Sequence, residues 1–299
     1  MRTGVLVLAA VMLMCLLAPL YASQVSHTDP FRSNVNGTAS GKDVLAENTA
    51  GLGLGVTPIG PTWSGPYMLG ADTQGRDVAA RLLYGGRTSL LIASLATVLC
   101  LVLAAVLGVL SGFVGGAVDT VLAGLLDLLW AFPVYLLAIS LSIVLISQDL
   151  RIGPLLVGAD SLALPILILG VVYIPYVARP VRAQVLALRR AEFIEAAEAT
   201  GGAPLHILRR HVLPQIWPGL IGFAPVVMAM ALLTEAALSV LSIGVQAPAA
   251  SWGTLIADGQ ALIYTRPLVA IAPGIAVVIT VLALNVVGEA WRAALDTRR

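Results

Sequence analysis

Charge is what this sequence has least of. Of its 299 residues only 11% are charged and 59% are hydrophobic, against roughly 25% charged in an ordinary soluble domain. So small a polar complement cannot cover a globular surface, which excludes a water-soluble domain and leaves lipid as the solvent. Lysine is almost missing. Lys42 is the only one, and the net charge of +1 leaves no basic footprint for nucleic acid. Cysteine is scarce too: Cys15 and Cys100 both fall inside apolar runs, which excludes a disulfide framework or thiolate cluster and leaves them as small apolar filler. The three histidines, His27, His206 and His211, have no metal-ligand spacing, and no serine, histidine and aspartate stand together as a nucleophilic triad. One stretch imitates a phosphate loop, Gly37-Thr-Ala-Ser-Gly41-Lys42-Asp43. It is one residue short, and Asp43 replaces the hydroxyl that would hold magnesium. The chain reads as neither an enzyme nor a cofactor carrier.

What the sequence has in abundance is long apolar runs. A hydrocarbon core is crossed by about 20 apolar residues of helix, and the runs that qualify are Val5–Ala22, Ser89–Leu110, Val118–Ile146, Leu162–Val177, Pro218–Leu241 and Leu268–Val287. These predict an all-α, polytopic membrane protein of about six transmembrane helices. The first run follows a single positive charge and ends on small residues, as a signal peptide does; a retained span gives the rest of the chain a consistent topology. The third is long for one crossing, which predicts a tilted or projecting helix. The chain then divides into a first transmembrane helix (1–22), an extracytoplasmic loop and surface helix (23–86), a core (87–290) with a loop at 179–217, and a tail (291–299). Arg179, Arg182, Arg189, Arg190, Arg209 and Arg210 follow the fourth span, and Arg292, Arg298 and Arg299 lie in the tail. Both groups fall on the side of Arg2, so the positive-inside rule makes that side, and both termini, cytoplasmic.

The loop after the fourth span has its own pattern. A run of Glu and Ala from Ala191 is stopped at Gly201 and Gly202, where glycine suits a left-handed cap, and Pro204 opens a second helix. Phe193, Ile194 and Ala197 share one face while Glu192, Glu195 and Glu198 line another. A small amphipathic helix of this kind fits a groove on a partner protein.

Glu195-Ala196-Ala197, then Gly201, then His211-Val212-Leu213-Pro214 resembles the EAA loop of ABC importer permeases, and His211 is the residue common in their dipeptide and oligopeptide branch. Three further blocks are similar to that branch: Leu69-Gly-Ala-Asp-Thr-Gln-Gly-Arg-Asp77 with Arg81 and Tyr84-Gly85; Glu235-Ala-Ala-Leu-Ser239 with Gly244-Val-Gln246 and Ser251-Trp-Gly253; and Asn285 with Gly288 and Ala294-Leu-Asp296. Glu289 stands where that family usually has Asp. The resemblance implies a type I importer permease in a bacterial inner membrane, where the acceptor Asn36-Gly-Thr38 would go unused. It also implies a second homologous permease as heterodimer partner, two cytoplasmic ATPases carrying the ATP and magnesium, and an extracytoplasmic binding protein that delivers peptide. Glu195, Ala196, Ala197, Gly201, His211, Leu213 and Pro214 become the ATPase-coupling candidates. Two rivals stay open: the same mechanism with nickel or another small solute, and an ion-coupled transporter or channel.

Two further sets of residues stand out. Asp72, Gly75, Arg76 and Asp77 form a polar turn before the second span, expected as an elbow at the outer face or as a dock for the binding protein; an aspartate there can cap the helix. Glu235 and Asp127 are acids inside apolar runs and are candidates for the pathway or its gate. Glu235 is expected either to pair with Arg81 or Arg87 or to face the pathway; Asp119 and Asp127 either pack between helices or meet cargo.

Overall fold

The structure, a computed structural model, describes residues 2–39, 41–47, 55–147, 150–152, 155–158 and 160–296. Arg298 and Arg299, counted above for orientation, lie outside them, as does Ser40 of the phosphate-loop look-alike. In chain order the helices are α1 (Arg2–Leu16), α2 (Ala18–Tyr21), α3 (Val78–Val114), α4 (Gly116–Ala131), α5 (Val134–Ser147), α6 (Ala163–Val172), α7 (Ile174–Arg189), α8 (Glu192–Ala199), α9 (Pro204–Ile207), α10 (Leu213–Gly222), α11 (Ala224–Val240), α12 (Trp252–Gln260) and α13 (Leu268–Asp296). Wide π-type turns at Ala22–Ser26 and Leu208–Val212 continue α2 and α9. Between Ser26 and α3 the described residues form turns and two short antiparallel ribbons, Thr38–Ala39 with Lys42–Asp43 and Leu45–Glu47 with Val56–Pro58. Among the described residues of this region there is no separate surface helix; residues 78–86 are the first turns of α3 and are mostly buried.

α3 and α13 are each long and apolar enough to cross a bilayer unbroken. Four further stretches are long and apolar enough only as bent pairs: α1 with α2 at 47°, α4 with α5 at 93°, α6 with α7 at 41°, and Pro204–Gly222 with α11 at 43°. Each bend has a proline at its start, namely Pro19, Pro133, Pro175 and Pro225. Proline brings no N–H to the ladder and its ring crowds the preceding turn, so the helix axis changes direction there. This corrects the third span. Val118–Ile146 is not one tilted rod but two helices that turn sharply at Phe132-Pro133. The fourth run likewise continues past Val177 to Arg189, and the second begins at Val78 instead of Ser89.

Lipid supplies no hydrophobic force between helices, so close packing must hold them together, and small residues permit it. On α3 a stripe of Ala96, Cys100, Ala104, Gly108 and Gly112 recurs every four residues, all of it buried. Cys100 serves there as the small filler the sequence suggests. A β-carbon on Gly108 would lie 2.8 Å from the Ala178 carbonyl oxygen, and one on Gly112 2.9 Å from that of Arg182. α7 therefore rests directly on the α3 backbone. α1 joins the bundle in the same way: a β-carbon on Gly4 would meet the Ala283 carbonyl of α13 at 3.0 Å, and one on Gly86 would meet the Cys15 sulfur at 2.4 Å.

Gly108→Leu should separate α3 from α7. Overpacking of this kind costs about 1–3 kcal/mol, so the thermal midpoint in detergent should fall clearly. Val98→Leu, on the exposed apolar face of α3, should stay within about 0.5 kcal/mol of wild type.

Candidate functional site

The loop with the Glu-Ala pattern folds as a helical hairpin standing off the bundle. Ile194 is fully buried, as are Ile207 and Val212 across the turn, so three apolar side chains pin the hairpin down. Glu192, Glu195, Ala196 and Glu198 face outward, Ala197 is half-buried and Phe193 is 40% exposed. The turn is a paired C-cap: Gly202 N–H donates to the Ala197 carbonyl and Gly201 N–H to that of Glu198, both at 2.9 Å. Gly201 has φ +82°, and Gly202 has no room for a side chain because a β-carbon would lie 2.7 Å from the Ala197 oxygen. One glycine is set by conformation and the other by space. His211 sits between Phe193 (6.3 Å between ring centres) and His206 (6.4 Å), closing the hairpin on itself. Leu213 and Pro214 are exposed at the start of α10. All seven coupling candidates thus fall on one small module.

The opposite end of α3 is tied down by charge. Asp77 is its N-cap: Oδ1 accepts from the N–H of Ala79 (2.8 Å) and Ala80 (3.2 Å), while Oδ2 accepts from Tyr67 N–H (2.9 Å) and Ser26 Oγ (2.5 Å). Arg76 donates to Asp72 (2.7 Å) and to Asp258 of α12 (2.9 Å); Arg81 donates to Asp258 (3.0 Å) and to the Pro30 carbonyl (3.2 Å). Burial pushes the Asp258 carboxyl above the ordinary aspartate value, and the two guanidiniums pull it back. Gly75 has φ +71°, and a β-carbon there would sit 2.4 Å from the Asn34 carbonyl. Asp72, Gly75, Arg76 and Asp77 are all buried, and only Thr73 and Gln74 of this turn reach solvent. The side chains of Asp72, Arg76 and Asp77 are engaged within the chain, and the turn packs inward.

Glu235 lies fully buried on α11. Its two carboxylate oxygens accept from Ser89 of α3 and Ser239 of α11, each at 2.8 Å. Those hydroxyls in turn accept backbone N–H groups from the segment after α11: Ser239 from Val245 and Ser89 from Trp252, both at 3.1 Å. The expected arginine pairing is corrected by this geometry. Arg81 belongs to Asp258, and Arg87 stacks on Tyr84 at 5.6 Å. Nor does Glu235 face an open path within this chain, being enclosed by the residues it organises. β-Carbons on Gly244 and Gly253 would come within 2.4 Å of Ser239 Oγ and 2.6 Å of the Ala236 carbonyl. The scattered block Glu235…Ser239…Gly244…Ser251-Trp252-Gly253 is therefore one clasp that folds the 241–251 segment against α3.

Toward the other end of the bundle two ion pairs tie α4 to α7. Asp119 holds Arg182 through two bonds, 2.6 and 2.7 Å, with Ser111 of α3 also on the carboxylate. Asp127 pairs with Arg179, whose guanidinium lies 5.1 Å from the Trp130 ring centre. Sequence reading singled out both acids but missed both arginines, which were counted only as orientation signals. It also missed Asp258, seven residues after Ser251, and Ser89, whose sole signal is a hydroxyl inside an apolar run.

Ser89→Ala should strand one Glu235 oxygen and the Trp252 N–H. A buried polar group left without its partner costs about 1–3 kcal/mol, so the midpoint should fall and proteolysis within 241–251 should speed up. Neutralising Arg81 should not rescue Glu235→Gln; rescue would restore the arginine pairing that the geometry removes.

Comparison with known proteins bears on the chain as a whole. Residues 104–299 match the family described as binding-protein-dependent transport system inner membrane component. Over 236 residues the chain is 38% identical to a peptide transport system permease protein of Brucella suis biovar 1 (strain 1330), covering 78% of this chain and 74% of that one. It is 34% identical to the oligopeptide transport system permease protein OppC of Escherichia coli K12 over 238 residues, 80% and 74% of the two chains. It is 33% identical to the dipeptide transport system permease protein DppC of Alkalihalophilus pseudofirmus over 235 residues, 79% and 73%. In fold it resembles a chain of the inward-facing MetNI methionine ABC transporter, with TM-score 0.56, 21% identity, and 71% of this chain against 95% of that one. The exposed hairpin, the bent apolar helices and the match over residues 104–299 agree, and the chain belongs to the binding-protein-dependent transport system inner membrane components.

Proposed function

We propose that this chain is one transmembrane half of an ATP-driven importer of di- or oligopeptides. The observation that carries the reading is the α8–α9 hairpin: a rigid, exposed, acidic module held by buried Ile194, Ile207 and Val212, shaped to enter a groove on another protein. On this reading the arginine-rich side of the membrane is cytoplasmic and carries both termini and the hairpin. Two ATPase subunits there bind ATP and magnesium and receive Glu195, Ala196, Ala197 and Gly201, with His211, Leu213 and Pro214 bracing the second arm. A second, homologous permease completes the pore, and an extracytoplasmic binding protein brings the cargo. α1 stays in the mature protein, supported by its tight seating on α3 and α13.

Peptide cargo is favoured over nickel because the relatives named above are called peptide, dipeptide and oligopeptide permeases. The ion-coupled transporter and channel readings lose their ground with the family assignment. The chain does no covalent chemistry. It alternates between two arrangements, and the ATPases and the loaded binding protein change their populations through differential affinity.

Glu195→Arg reverses the charge at the tip of the hairpin without touching its buried side chains. Gly201→Asp forces a side chain into a left-handed conformation, a cost of about 1–2 kcal/mol, and puts its carboxylate on the docking face. Each should reduce uptake of a labelled peptide into proteoliposomes at least tenfold, either by loss of co-purifying ATPase or by ATP hydrolysis without transport. Wild-type uptake by both variants would remove the coupling role.

A further inference from the structure

A groove of about 610 Å³ runs between α1 and α3 at the surface of the bundle, and none of the sites above uses it. Met12 and Leu16 of α1 form one wall and Leu91 and Leu95 of α3 the other; all four are exposed, from 45% to 64%. Its floor is the tight seat of Cys15 against Gly86. One end is polar, lined by Tyr84, Arg87 and Thr88. The Tyr84 ring is held edge-on to Phe31, 5.2 Å between ring centres, and the Arg87 guanidinium lies 5.6 Å from its centre. α3 has two arginines, and they differ. Arg81 is closed on Asp258, whereas Arg87 is exposed and meets no carboxylate among the described residues.

The distribution of charge along the two helices gives this cation its meaning. From Thr88 to Val114 α3 carries no charged residue, and the α1–α2 segment carries none from Thr3 to Ser26. Arg87 therefore stands where the charged part of α3 gives way to the apolar part, the border at which arginines reach lipid headgroups. From Tyr84 to Leu95 the groove extends roughly 16 Å at the rise of the helix. That is close to half of a hydrocarbon core about 30 Å thick, the span of one acyl chain. An apolar trough of acyl length with a lone cation at its mouth matches a molecule built the same way.

We propose that this groove binds an anionic phospholipid. The phosphodiester accepts hydrogen bonds from the Arg87 guanidinium and the Tyr84 hydroxyl, and one acyl chain lies along Met12, Leu16, Leu91 and Leu95. A guanidinium and a phosphate form parallel, charge-assisted bonds, stronger than neutral ones. Net charge selects the headgroup. The phosphate of phosphatidylcholine already has its own ammonium, whereas that of phosphatidylglycerol has none and supplies the counter-charge that Arg87 lacks. The expected preference is about fivefold, which is about 1 kcal/mol. A carboxylate from a neighbouring subunit would also meet Arg87 but would leave the trough to be filled separately; a phospholipid does both. Bound there, the lipid bridges α1 and α3 and reinforces a contact that otherwise rests on small residues.

The test uses the complete transporter in phosphatidylcholine nanodiscs that hold a small fraction of phosphatidylglycerol with a photoactivatable acyl chain. Crosslinked residues are mapped by mass spectrometry. The face of α13 at Ile275, Val278 and Leu282, exposed and apolar with no charged residue from Leu268 to Gly288, reports ordinary lipid contact. The expected result is labelling of the groove about fivefold above that face, suppressed by unlabelled phosphatidylglycerol and not by added phosphatidylcholine. Arg87→Gln should bring the groove down to the α13 level, and Arg87→Lys should keep part of the excess. Leu91→Trp, a change on the exposed wall, should exclude the acyl chain while leaving Arg87 in place. Equal labelling of both faces, equal competition by phosphatidylcholine, or unchanged labelling in Arg87→Gln would overturn the proposal and leave the groove as ordinary hydrocarbon surface. Labelling in the isolated chain but not in the complex would mean that a neighbouring subunit covers the groove, and would overturn it as well.

Discussion

Acyl chains offer no hydrogen bonds, and nearly every local feature of this molecule follows from that. A backbone group freed at a bend, or a side-chain charge within the apolar layer, must find its partner inside the protein. The four proline bends keep the helices on either side short and regular, so few groups are released at each. Glu235 shows how strictly the rule is met. Among the described residues it has no cationic partner, yet both oxygens are satisfied by hydroxyls, and those hydroxyls satisfy two amide groups that would otherwise be stranded where the chain turns back after α11. One acid organises four backbone and side-chain groups across three elements.

The same constraint explains what could be read from the sequence. The number and rough position of the crossings were legible because apolar runs of that length have one use in a bilayer. The hairpin was legible because Gly201, Gly202 and Pro204 announce a helix end and a helix start through local geometry alone. The Asp77 cap was legible for the same reason. Contacts between distant segments were not. Nothing near Arg81 in the chain points to Asp258, and nothing near Asp127 points to Arg179; each pair is closed by packing over 177 and 52 residues of separation. The bend at Pro133 was hidden differently. Proline is tolerated in membrane helices, so its presence alone did not distinguish a tilted rod from a turn of 93°.

The sites described above resolve into two kinds of part. The Leu69–Asp77 turn and the Glu235–Gly253 clasp are self-contained: their charged and hydroxyl groups are spent on one another, so they hold shape without offering contacts. The α8–α9 hairpin and the Asp127–Arg179 pair are open, with their polar groups turned outward. A motif made of polar residues thus does not by itself mark a contact surface; burial separates the two cases.

α3 carries a mechanical consequence. At 37 residues it is about 55 Å long, stiff throughout, and it is riveted at three heights: to α12 by Arg81 and Asp258, to α11 by Ser89 and Glu235, and to the α4–α7 layer by Ser111 with Asp119 and Arg182. A rod of that length behaves as a lever arm. A swing of only about 5° at one end carries the other through roughly 5 Å, given the rise of the helix. A nudge delivered to α7 at one face of the membrane would arrive at the 241–251 segment on the far face as a displacement the width of a backbone, with no hinge needed in between.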